Sequence, residues 1–465
     1  MRPVPTPCVG SAKTPASFES AGYRDSVNQF PSLRVRTVRL EPGTLRQLWR
    51  YSDPHSPLVF LRNGDGIVGS GQILWRREFF GPDRIREAAD AWSKLTSFAE
   101  VKDRAKVPGS GLVGFGAFAF SENSQQASVL IVPSLIVGRR DGIEFVTAIT
   151  ADSTKPDASL RDPAPLGPDE RAVFETGEMD VVQHQQAVDH VVDLIGSGVL
   201  SKLVLARDLI AKLPEWTDRR HLIGRLAETY PDCWNYSVDG LTGASPETLV
   251  RVRGREVRAR VLAGTAPRGL EEHIDRDIAE QLKSSPKNQQ EHRFAVESAL
   301  HALSSLNDYT DPGDSLTASP EPFLLALPNV WHLASDIRGT LPLAHTVLDL
   351  VQALHPTAAV GGTPRKAALE AIDRIEPFDR RRYAGPVGWI GAKGDGEWAI
   401  ALRGAEIDPD GTTTAYAGGG IVATSVAADE FRETEWKLRP LQDALSSGSI
   451  DPYGDALFTD FGTGV

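Results

Sequence analysis

Residues 58–75 read LVFLRNGDGIVGSGQILW, two apolar runs at 58–61 and 67–75 on either side of Asn63-Gly64-Asp65-Gly66. Asn and Gly tolerate the positive φ that a tight turn demands, so this segment predicts an antiparallel hairpin. The same pattern returns at 129–137 and 143–149 around Arg139-Arg140-Asp141-Gly142. Pro133 lacks the N–H that a ladder uses, which marks the first of these runs as an edge strand. Between the two hairpins a helix is predicted near 83–101.

Further along, Val181, Val188, Val191, Ile195 and Val199 recur at helical spacing until Gly196 and Gly198 break it, and a strand is expected over 203–210. Then come a hairpin over 248–262 turning at Gly254, helices around 289–306 and 363–375, strands at 387–390 and 398–406, and a last helix over 428–445. Hairpins dominate and no regular βαβ alternation is present, so the expected fold class is α+β, antiparallel sheets flanked by helices. Pro156, Pro163, Pro165 and Pro168 mark 152–171 as an exposed connection. Residues 1–30 read as a flexible leader.

The chain has 465 residues, 41% hydrophobic and 24% charged, enough to bury a large core. Its net charge of -12 speaks against general nucleic-acid binding, which needs a basic face. No run of 18 apolar residues and no signal-peptide pattern is present, so no membrane association and a cytoplasmic location are expected. Cys8 and Cys233 have no partners at metal-ligand spacing, and His184 and His190, six apart, do not share a helical face as two ligands would.

Several residues could carry chemistry. Lys202 stands at the head of an apolar strand, where desolvation favours the neutral amine that acts as a base. Glu247, after Ser245-Pro246, could be a carboxyl held at a sheet end with a raised pKa, able to donate a proton. Glu291, with His292, begins a predicted helix, and Glu430 and Glu433 lie one turn apart on another; two such acidic helices suit magnesium, which prefers carboxylate oxygens. Gly361-Gly362 and Gly418-Gly419-Gly420 are too glycine-dense for ordinary strand interiors and suggest close backbone approach, with N–H groups free to bind a carboxylate. Arg403, inside the strand expected at 398–406, could grip a carboxylate through two parallel hydrogen bonds, and Tyr383 could add a hydroxyl. Each also fits a plainer role: a solvated lysine, a turn carboxylate, a wet helix face, a tight turn or a packed tyrosine.

Taken in order, SKLVLAR (201–207), SPETLV (245–250), LAGTAPRG (262–269), EHRFAVE (291–297), RGTL (338–341), LHPTAAVGGTP (354–364), YAGPVGW (383–389), ALRGAEI (401–407), AGGGIV (417–422) and EFRETEWKL (430–438) resemble the chorismate-utilising enzymes. That family includes isochorismate synthases, salicylate synthases, and the large subunits of anthranilate and aminodeoxychorismate synthases. The resemblance implies one large α/β sandwich of two antiparallel sheets flanked by helices. It implies a single catalytic domain over 31–450, with the motif-rich part at 180–447 and a tail at 451–465; the N-terminal portion matches best at 111–120.

By position, the resemblance makes Lys202 the base that activates water and Glu247 the acid that protonates the departing hydroxyl. Glu291 and Glu433 become magnesium carboxylates, with Glu430 acting through water. Tyr383, Arg403, Lys437 and the backbone of Gly418, Gly419 and Gly420 hold the substrate carboxylates, while Gly264, Thr265 and His332 line the ring-facing wall. Ala359 stands where salicylate- and anthranilate-forming relatives tend to place Thr, which favours a reaction stopping at isochorismate. Thr265 does not separate the products and keeps salicylate synthase as an alternative, beside an anthranilate-type or aminodeoxychorismate-type component and a non-catalytic binder. No tryptophan-binding Leu-Leu-Glu-Ser segment is evident, Ser17-Phe-Glu-Ser20 being a poor match. The implied reaction uses chorismate and Mg2+ in a monomer, without a glutamine amidotransferase partner, and isochorismate serves both menaquinone and siderophore or salicylate synthesis.

Overall fold

The computed structural model describes residues 30–445 except 153, 270, 307–315, 327–329 and 343, so the predicted leader (apart from Phe30), the tail and the Ser17–Ser20 segment lie outside the described residues. The opening hairpin forms as predicted. Leu58–Arg62 pairs with Asp65–Phe79, and Asn63 and Gly64 take φ of 52° and 76° at the turn. Asp141 and Gly142, at 51° and 78°, likewise turn Ser128–Arg140 into Ile143–Thr150.

Ser128–Arg140 is not an edge strand. Along one side it pairs with Asp65–Phe79, and along the other first with Val113–Ala117 and then with Ile143–Thr150. Pro133 falls in the gap between those two partners and beside a register shift in Asp65–Phe79, where its missing N–H costs the ladder nothing.

From the pair Asp65–Phe79 and Ser128–Arg140 the sheet forks. One arm runs through Leu58–Arg62, Trp234–Val238, Leu241–Ser245, Gly404–Ile407 and Thr412–Ile421 to Lys202–Lys212. The other runs through Val113–Ala117, Pro386–Gly391, Gly396–Ile400, Thr248–Arg253 and Glu256–Pro267 to Val330–Thr340. The two antiparallel sheets are thus the arms of one hydrogen-bonded network, in which only Arg34–Arg39 with Glu100–Asp103 pairs in parallel among the described residues.

Side chains from both arms meet in one apolar cluster, with Phe60, Trp234 and Tyr236 from the first and Phe115, Trp389 and Trp398 from the second. Helix Val181–Gly196 starts at a reciprocal cap between Asp180 and Gln183 and buries Val188 and Val191. It packs against helix Ala427–Leu445 and on the strands Lys202–Lys212 and Thr412–Ile421, the second of which also carries helix Ala427–Leu445. Among its described residues the connection 152–171 has no regular structure. Arg220 anchors it by donating to the carbonyls of Ala164 and Pro165 at 2.9 and 2.8 Å. No helix among the described residues is long and apolar enough to cross a membrane.

Two further predictions need correcting. The strand expected at 398–406 is two strands, Gly396–Ile400 and Gly404–Ile407, broken where Arg403 adopts φ 50°. Gly418, Gly419 and Gly420 do lie inside a strand, Thr412–Ile421, because neighbouring side chains crowd onto that stretch of backbone.

Candidate active site

Lys202 opens the strand Lys202–Lys212, whose antiparallel neighbour places Gly418 opposite Ala206 and Gly420 opposite Val204. A Cβ at Gly420 would lie 3.0 Å from Lys202 Cε and 3.6 Å from its Nζ. One at Gly418 would lie 3.2 Å from Tyr383 Oη, and one at Gly419 would lie 3.0 Å from Glu430 Oε2 and 3.9 Å from Glu433 Oε1. The glycine run is therefore a bare stretch of strand, approached on one face by the Lys202 ammonium and the Tyr383 phenol and on the other by the Glu430 and Glu433 carboxylates. Any larger residue would push one of them away.

Glu247 sits in the turn between Leu241–Ser245 and Thr248–Arg253, fixed by its N–H donating to Ser245 Oγ at 3.2 Å and by Ile400 N–H donating to its carbonyl at 3.1 Å. It keeps some solvent access, yet protein surrounds it, and burial pushes its carboxyl up to about 7 against the pull of the Lys202 and Lys437 cations. A carboxyl in that range still carries a proton near neutrality. His332 is pushed down to about 4, first by burial and then by the Lys202 cation, so its ring is neutral at physiological pH. It lies opposite Thr265 across a register shift that Gly264 accommodates with φ 81°; the side chain of Thr265 is outside the described residues.

Arg403 has a left-handed backbone and is enclosed by protein, and no carboxylate of the described residues is within ion-pair distance of its guanidinium. An enclosed arginine without an acid is a ready site for an anionic ligand. Tyr383 is buried and stacks on Tyr416 at 5.3 Å between centroids, and burial pushes its hydroxyl up to about 12. Lys437 donates to the carbonyl of Gly418 at 2.8 Å and pairs with Glu433, so within the protein it already has two partners.

Ser425 donates to Glu430 Oε1 at 2.6 Å, while Oε2 is buried with no partner. Burial, and then the Glu433 carboxylate, raises the Glu430 pKa despite the Ser425 hydrogen bond. An orphaned carboxylate oxygen beside a second carboxylate fits magnesium, which takes one or two carboxylates together with water or substrate oxygens. Glu291 does not join them: among the described residues no three His, Cys, Asp or Glu groups come close enough to hold an ion. Glu291 lies half-buried on helix Pro286–Leu303, beside His292, which points inward with its ring nitrogens 3.0 Å from Ala263 O and 2.9 Å from Ser335 Oγ.

Ala359 lies half-buried in the loop 355–361, which is tied to the Lys202 strand by Val204 N–H donating to Gly361 O at 2.8 Å. Sequence reasoning missed the pair that completes this joint. Arg380 donates to Val360 O at 2.9 Å, to Val204 O at 2.7 Å and to both oxygens of Glu376, which accepts from Ala206 N–H at 2.8 Å. The acid-to-arginine spacing of four was the available signal. Ser425, which orients Glu430, was also missed; nothing in its local sequence separates it from other loop serines.

The chain matches the family model described as "Chorismate binding enzyme" over residues 41–446. It is 36% identical over 279 residues to isochorismate synthase DhbC of Bacillus subtilis, covering 57% of this chain and 68% of that protein. To isochorismate synthase MenF of the same organism it is 29% identical over 430 residues, covering 85% and 87%. Among solved structures, the menaquinone-specific isochorismate synthase MenF of Escherichia coli superposes with a TM-score of 0.70 at 26% identity, over 90% of this chain and 95% of that one.

Proposed function

The chain belongs to the chorismate-binding enzyme family, and on that premise we propose that it is an isochorismate synthase, an isomerase converting chorismate to isochorismate with Mg2+. The observation that carries this reading is that Lys202 acts electrostatically on Glu247, a carboxyl that burial pushes up to about 7. The reaction adds water at C2 of chorismate and removes the C4 hydroxyl, with the ring double bonds shifting between, so it needs a base at one carbon and an acid at the other. Lys202 is the base placed to take a proton from the attacking water. Glu247 gives a proton to the C4 hydroxyl, since hydroxide is too poor a leaving group to depart unaided.

The substrate is a dianion. The enclosed Arg403 and the Tyr383 hydroxyl beside Gly418 supply donors for its carboxylates. Glu430 and Glu433 would hold magnesium, which when bound supplies charge that neutralises and orients a substrate carboxylate. Relatives named isochorismate synthases support the product assignment, and so does the small Ala359, which brings no hydroxyl into the loop beside the Lys202 strand.

Lys202→Ala and Glu247→Gln test the pairing. Each should lower kcat by roughly 10²–10⁴-fold, the usual weight of one general acid or base, while magnesium-dependent chorismate binding persists. Near-normal turnover in either variant removes that residue from the chemistry.

A further inference from the structure

On the strands Thr248–Arg253, Glu256–Pro267 and Val330–Thr340, register sets Arg251 opposite Arg258 and Arg258 opposite Arg338. Three arginines thus stand in a row across three adjacent strands, although directly opposed like charges destabilise a sheet. Arg258 pairs with Glu256 at 2.6 Å, and Arg338 with Asp336 at 3.1 Å, an acid that Arg260 also engages at 2.7 Å. Glu397 lies opposite Arg251 on its other side, but this fully buried carboxylate is held by the buried Arg140 at 2.6 Å, with Arg253 at 3.7 Å.

Arg251 has no ion pair or hydrogen bond among the described residues, and the Nε atoms of Arg253 and Arg140 are buried without an acceptor. Arg253 also lies 3.5 Å from the exposed Asp141. Six arginines here face four carboxylates, an excess of two positive charges on a chain whose net charge is -12. Arg251, Arg253, Glu256 and Arg258 line a cavity of about 90 Å³. It is separate from the Lys202–Glu247 pair: Arg251 lies four residues beyond Glu247 on an extended strand, roughly 13 Å away.

We propose that this cavity binds a small, doubly charged oxyanion of the phosphate class, either inorganic phosphate or the phosphate of an ester. Its charge offsets the local excess, and its several oxygens accept from guanidinium groups that converge from two strands, which a single planar carboxylate does less fully. The Arg251–Arg258 repulsion, offset on the Arg258 side by Glu256, is then offset on the Arg251 side by ligand.

Isothermal titration calorimetry on the full chain tests this, with inorganic phosphate, pyrophosphate and malonate titrated separately at low and high salt. Saturable binding of phosphate or pyrophosphate is expected at one site, weakened by salt, tighter than malonate, unchanged in Lys202→Ala and weakened about tenfold or more in Arg251→Gln. Arg258→Gln, at a solvent-facing position, repeats the test if Arg251→Gln fails to fold by circular dichroism. The proposal is overturned by an absence of saturable phosphate binding, by equal affinity for malonate, by loss of binding in Lys202→Ala, or by folded arginine variants that bind as the parent does.

Discussion

The Glu247 carboxyl keeps its proton near neutral pH because burial outweighs the two cations beside it. As the proposed acid it must be protonated, so kcat should fall as pH rises through about 7, and that limb should vanish in Glu247→Gln. The same shift acts on stability. Its folded pKa lies above the ordinary 4.5, so the folded state binds the proton more tightly and loses stability as pH climbs from about 4.5 to about 7. Glu247→Gln should therefore match the parent in Tm at pH 4 and exceed it by roughly a few degrees at pH 8, as thermal melts at both pH values would show. An equal or lower Tm at pH 8 would contradict the buried-carboxyl picture. Both residues were legible from sequence as candidates, but their proximity was not. Lys202 opens one strand and Glu247 sits in the turn after another, and only the pairing of the strands between them along the first arm sets the two within electrostatic reach.

Among the elements, the strand Lys202–Lys212 has a buried gap in its edge. On that side Gly362–Thr363 covers its start and Glu175–Thr176 its far end, leaving Val204 O and Ala206 N without a backbone partner. Glu376 and Arg380 fill the gap as a surrogate strand and tie it to the Ala359 loop. Arg380→Met leaves the almost fully buried Glu376 carboxylate without its cation, so it should cost about 3–5 kcal/mol in urea unfolding. The folded fraction should lose kcat more than it gains in KM, because the Lys202 strand loses its anchor. Adding Glu376→Gln should recover part of the stability. Gly419→Ala belongs to this scale too: its methyl would press on Glu430 Oε2, so the magnesium concentration for half-maximal activity should rise without a comparable change in Tm. The hairpins were readable because their turns need Asn and Gly at positive φ. The break at Arg403 was not, because the apolar pattern runs straight through it and only tertiary packing selects its left-handed backbone. Pro133 misled for a related reason, since a proline can sit inside a sheet wherever the neighbouring strands change over.

For the whole molecule, the two arms depend on the aromatic side chains packed between them. Trp398 is fully buried and meets Phe118 at 5.3 Å between centroids. Trp398→Ala should cost about 3–5 kcal/mol by denaturant unfolding, and a loss under 1 kcal/mol would mean that the arms are not held through this core. The α+β class and the antiparallel preference followed from local turn chemistry, which acts over a few residues. How the strands close into one forked network did not, because Asp65–Phe79 and Ser128–Arg140 each pair along more than one neighbour and no local pattern encodes such shared edges. The central claim is a chemical one, and it is tested most directly by incubating the purified chain with chorismate, with and without magnesium and without ammonia, and identifying the products by chromatography with mass detection. A chorismate isomer that forms only with magnesium is the predicted result. Salicylate with pyruvate, or no product until ammonia is added, would contradict it.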